Sequence, residues 1–169
     1  MKLATLRTGF GTSAIRIDGD NVGVELDYED VGQLLRSEDW RKAAQLSGEP
    51  VVFDHADLEA VVPNPGKIIC VGLNYAKHIR EMGREFPEHP TLFIKFADAL
   101  TGPYDDVFIP EFATQKLDYE GELAVIIGER AHRVNRNEAL DYVAGYAIMN
   151  DYTPVSYTHL TLPTSDLVW

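Results

Sequence analysis

A chain of 169 residues, 45% of them hydrophobic, can form one ordinary domain, or a small domain joined to part of another, with a real core. Its formal charge of -12 excludes nucleic acid and anionic membrane surfaces as partners, because both need clustered Lys and Arg and no such cluster occurs. The N-terminus lacks the apolar core of a signal peptide, no apolar run is long enough to span a membrane, and one cysteine, Cys70, allows no intramolecular disulfide, so the default compartment is the cytoplasm.

Residues 3–26 read as short strands, with residues 13–18 turning through Gly19, Asp20 and Asn21 into residues 22–26 as a hairpin. Asp30 is set to cap a helix carrying Val31, Leu34 and Leu35 on one face, and Ala43 and Leu46 continue that pattern towards Ser47 and Gly48. These elements make a small αβ domain over residues 1–60. The Pro- and Gly-containing stretch at residues 61–66 is rigid turn chemistry, and a second domain is expected to begin at Lys67. From there the signals are mostly β, with strands expected at residues 68–71, 91–96, 107–109, 120–127 and 145–149. One helix is expected at residues 75–85 and another, opened by Asn137, at 138–143. Cys70, flanked by Ile68, Ile69 and Val71, reads as buried and inert. The fold class is α+β.

Glu120 and Glu122 stand one residue apart at the start of the apolar run 123–127, so a strand would send both carboxylates to one face. Paired carboxylates repel unless a cation lies between them. Downstream, Asn150 and Asp151 follow the strand expected at 145–149, and Asp151 supplies a third oxygen ligand of the kind that Mg²⁺, Mn²⁺ or Ca²⁺ takes. Taken alone, the pair reads sooner as solvated charge that keeps a strand edge from aggregating. His78 and Glu81, three residues apart, share a helix face, where a carboxylate can orient an imidazole for proton transfer. Such a spacing is also common on helix surfaces.

Taken together, the strings are more specific. Gly72-Leu-Asn-Tyr-x-x-His78-x-x-Glu81, Leu92-Phe-Ile-Lys95, Asp118-Tyr-Glu120-x-Glu122-Leu-Ala, Asp141-Tyr-Val-x-Gly-Tyr146 and Asn150-Asp151, in this order across residues 67–153, resemble the fumarylacetoacetate hydrolase family. The resemblance implies a small N-terminal domain followed by the first part of a mixed β roll, incomplete here. It implies Glu120, Glu122 and Asp151 as ligands of a divalent metal, Mg²⁺ foremost with Mn²⁺ or Ca²⁺ as alternatives. It also implies His78 and Glu81 as the dyad that activates water, and Lys95 as a substrate-binding residue or an ordinary solubilising one.

The chemistry so implied is that of a metal-dependent hydrolase or lyase acting on small oxo-acids, breaking a C–C bond through a metal-stabilised enolate. Decarboxylase, isomerase and ureidoglycolate lyase activities are alternatives within the same family, and a non-catalytic acidic metal-binding module is an alternative outside it. A homodimer is expected for the full-length protein by the same analogy. Residues 154–169, running from Pro154 through Val155-Ser-Tyr-Thr-His-Leu-Thr-Leu-Pro-Thr164 to Trp169, resemble a translated sequencing adapter and are expected to be a non-native tail on a truncated gene. The chain as written is then expected to be inactive and to expose apolar surface.

Overall fold

Three consecutive residues of the first strand, Ala4, Thr5 and Leu6, are buried, which a half-solvated strand does not allow. The cause is that this strand is covered on both faces. In the structure, a computed structural model describing residues 1–109, 111 and 117–154, β1 (Lys2–Thr8) pairs antiparallel with β2 (Gly11–Ile17), β2 with β3 (Val22–Glu25), and β3 with β4 (Pro50–Val52). The register sets Ala4 opposite Ile15 and Leu6 opposite Ser13, so Ala4, Leu6 and Ile15 share the face that packs with Phe53. Thr5, opposite Ala14, faces the other way, where α1 (Val31–Leu35) lies. There the Thr5 hydroxyl accepts from Val31 N at 3.1 Å and donates to the Val61 carbonyl at 2.8 Å.

Asp30 caps α1 as its sequence position demands, accepting from Gln33 N at 2.7 Å, while Gln33 Oε1 accepts from Glu29 N at 2.7 Å. The helix is shorter than the apolar pattern suggests. It stops after Leu35, and a separate α2 (Trp40–Ala43) carries the buried Trp40 and leads to the buried Ala44. Arg7 closes this part of the chain with a bidentate grip on Asp105, at 2.6 and 2.5 Å, and a third bond to Glu59 at 2.7 Å.

Beyond the N-terminal sheet the strands come in pairs. β5 (Ile68–Gly72) and β6 (Thr91–Lys95) form an antiparallel pair connected through α3 (Ala76–Glu81). β7 (Leu117–Asp118) bridges β10 (Thr153–Pro154), and between them lies the ladder of β8 (Gly121–Ile127) against β9 (Val143–Asn150). Contacts divide the chain into two units, Met1–Asp105 and Asp106–Trp169, so β5, α3 and β6 group with the N-terminal sheet. The mixed α+β content, few helices among many strands, agrees with the expected class.

Several local expectations are corrected. The helix expected at 75–85 ends at Glu81, because Gly83 adopts a φ of +64° that turns the chain out of the helix. In place of the helix expected at 138–143 there is a 3-10 turn, Ala139–Tyr142, leading into β9 at Val143, and residues 107–109 form no strand. Cys70 is half-buried rather than enclosed. The expected tail lies, past Pro154, outside the described residues. Among the described residues, no helix is long and apolar enough to cross a membrane.

Candidate active site

The acidic residues lie where the β8–β9 ladder gives way to the short β7–β10 pairing. Gly121 pairs with Asn150 and Glu122 with Met149, so the same register carries Glu120 opposite Asp151. A backbone bond confirms that step, with Asp151 N donating to the Glu120 carbonyl at 2.8 Å. Directly opposed residues of an antiparallel pair, and alternate residues of one strand, point to the same face. Glu120, Glu122 and Asp151 therefore occupy one end of one face of the hairpin. Along β8 that face continues through Ala124 and Ile126, which are partly covered, whereas Leu123, Val125 and Ile127 on the reverse face are exposed.

Nothing in the sequence marked the part played by Asn150, which was noticed only as the neighbour of Asp151. Its Oδ1 accepts from Glu120 N at 3.0 Å. The signal that could have found it is a short amide side chain ending an apolar strand, a residue type suited to holding backbone groups.

The donor set suits a hard divalent cation, being made of carboxylate oxygens from facing strands. The side chains are nonetheless not gathered, since among the described residues no three His, Cys, Asp or Glu side chains come close enough together to hold an ion. What the backbone supplies is the shared face and the register. Convergence on a cation needs rotations about side-chain bonds of Glu120, which is exposed, and of Glu122 and Asp151, which are partly so.

His78 and Glu81 belong to the other unit, on α3. The chain reaches that helix through Leu73, a non-glycine residue at φ +53°, a conformation that costs a residue with a Cβ about 1–2 kcal/mol. This strained turn lies within the Gly72-Leu-Asn-Tyr75 string, directly between β5 and α3. Ile79 is the buried anchor of the helix, and His78 and Glu81 are both exposed. The expected hydrogen bond between them is not formed. Glu81 lies 3.8 Å from Lys77 instead, an exposed i,i+4 pair of small energetic weight. Lys95, at the end of β6 and opposite Ile68, is partly buried.

Comparison with known proteins bears on the same stretch of chain. Residues 67–165 match the family described as fumarylacetoacetate (FAA) hydrolase C-terminal, a match that spans His78, Glu81, Lys95, Glu120, Glu122, Asn150 and Asp151. Over 99 residues the chain is 50% identical to the oxaloacetate tautomerase YisK of Bacillus subtilis, covering 57% of this chain and 33% of that protein. Among solved structures, a putative HpcE protein from Mycobacterium smegmatis superposes with a TM-score of 0.79 at 26% identity, over 96% of this chain and 58% of the other. A 5-carboxymethyl-2-hydroxymuconate delta-isomerase from Mycobacterium smegmatis gives 0.74 at 27% identity, over 95% and 58%. The chain thus spans about a third of the curated relative and just under three fifths of the solved ones.

Proposed function

Because the chain belongs to the fumarylacetoacetate hydrolase family, we propose that the full-length protein is a divalent-metal enzyme that forms the enolate of a small oxo-acid. The observation carrying this reading is the β8–β9 register, which sets Glu120, Glu122 and Asp151 on one face inside the family-matched stretch. When bound, a cation such as Mg²⁺ supplies the positive charge that stabilises an enolate oxygen. Glu120, Glu122 and Asp151 are the residues that would hold it.

The remaining steps fall to the chain's own groups. Lys95 binds the substrate carboxylate, and His78 moves the proton, to and from carbon in a tautomerisation or from water in a hydrolysis. For the second task Glu81 turns from Lys77 to His78, a small rearrangement for two exposed groups three residues apart on one helix. Keto–enol conversion of a 2-oxo acid is the preferred reaction, supported by the tautomerase and isomerase names of the relatives. Cleavage of a C–C bond is the variant in which the same enolate is released by a breaking bond rather than by loss of a proton.

The test uses the full-length protein, following enol-to-keto conversion of oxaloacetate by ultraviolet absorbance, acylpyruvate hydrolysis, and Mn²⁺ affinity. Glu120→Ala should abolish metal binding and turnover, and His78→Ala should lower turnover by about 10²–10⁴-fold with the metal still bound. Unchanged metal affinity in Glu120→Ala would sink the metal assignment. Full metal binding without turnover of either substrate class would favour a non-catalytic acidic module instead.

A further inference from the structure

We infer that Asn150 is a positioning residue for the acidic end of the β8–β9 hairpin, fixing Glu120 relative to Asp151. Both backbone groups of Glu120 are held by consecutive residues, Asn150 at the end of β9 and Asp151 just beyond it. Its carbonyl accepts from Asp151 N at 2.8 Å, and its N–H donates to Asn150 Oδ1 at 3.0 Å. Glu120 lies just outside β8, where regular pairing begins only at Gly121. The β7–β10 and β8–β9 ladders share one register, so Glu120 sits at a break in pairing between them, where a side-chain acceptor stands in for the missing rung.

The orientation of the amide is dictated by chemistry, since a backbone N–H can only be met by the oxygen and not by Nδ2. The residue type follows as well. An aspartate would make the same bond but add a fourth negative charge beside Glu120, Glu122 and Asp151, whereas the amide accepts without adding charge. Outer groups that orient metal-binding side chains typically govern affinity by about 10–100-fold. This inference rests on the proposed metal reading, and its direct readout does not.

The experiment compares Asn150→Ala, Asn150→Asp and Glu120→Ala in the full-length protein, measuring Mn²⁺ affinity by electron paramagnetic resonance and hydrogen exchange at the Glu120 amide without metal. Asn150→Ala should speed exchange at that amide and weaken Mn²⁺ binding by about tenfold or more. Asn150→Asp keeps the acceptor, so it should retain amide protection and bind Mn²⁺ no more weakly than the parent. If Glu120→Ala loses the metal while Asn150→Ala changes neither affinity nor exchange, the positioning role is overturned and the metal reading stands. If Glu120→Ala keeps full affinity, both fall, and the exchange data then report only a local backbone contact.

Discussion

Thr5 is fully buried in the middle of β1, yet its hydroxyl serves two partners, one opening α1 and the other 56 residues along the chain. Thr5→Val preserves shape and removes both bonds, leaving Val31 N and the Val61 carbonyl short of a partner. The expected loss is about 1–3 kcal/mol, read as a lower midpoint in chemical denaturation. Arg7 and Asp105 make a second prediction. Hydrogen bonds from Arg7, then from Gly102 N, hold the Asp105 carboxyl below the usual carboxylate range. Its ionised form therefore stabilises the fold above about pH 4 and ceases to do so as pH falls through its lowered value. Asp105→Asn should lower the thermal midpoint at pH 7 and narrow the gap between pH 7 and pH 3. An unchanged gap would show that the pair carries no linkage. Neither residue was legible beforehand, because each depends on a partner remote in sequence, whereas Asp30, whose partner is three residues away, could be read directly.

At the scale of elements, α3 shows why lengths were harder to read than existence. The polar and apolar pattern after Tyr75 runs on towards Glu85, but the backbone ends the helix with paired bonds from Gly83 N to the Arg80 carbonyl at 3.0 Å and from Arg84 N to the Ile79 carbonyl at 3.1 Å. This terminus needs a left-handed residue, which Gly83 supplies at φ +64°. A methyl group there would meet nothing within 4 Å, so Gly83→Ala isolates the conformational cost, about 1 kcal/mol. Faster amide exchange across α3, the helix that carries His78, should accompany it. No change in exchange would mean that the helix end is already frayed. The β8–β9 hairpin was legible for the opposite reason. Alternation has a period of two, so Glu120 and Glu122 fall on one face wherever the strand begins, and an error of one residue at its start alters nothing. What alternation could not convey was the cross-strand register, and with it the place of Asn150.

For the whole molecule, both of the longer two-stranded ladders present a continuous apolar face. Ile69 pairs with Ile94 and Val71 with Leu92 on one face of β5–β6, and all four are exposed. On β8–β9, Leu123 pairs with Ile148 and Val125 with Tyr146, again all exposed, with Ile148 at 93%. A run of Ile, Leu and Val signals that something covers it without saying what does. The N-terminal sheet differs in that its covers, α1 on one face and Phe53 on the other, come from its own neighbourhood in the sequence. Uncovered faces of this kind drive association and bind hydrophobic dyes. The 169-residue chain should therefore enhance the fluorescence of such a dye and sediment as concentration-dependent oligomers. Ile148→Lys, at a nearly solvated position where substitution costs within about 0.5 kcal/mol, should reduce both signals without lowering the denaturation midpoint. A monomeric, dye-silent, cooperatively melting sample would contradict the exposure of these faces. Because the N-terminal sheet carries its own core, its amides should stay protected from exchange even in the associated material, while those of β8 and β9 follow the state of association.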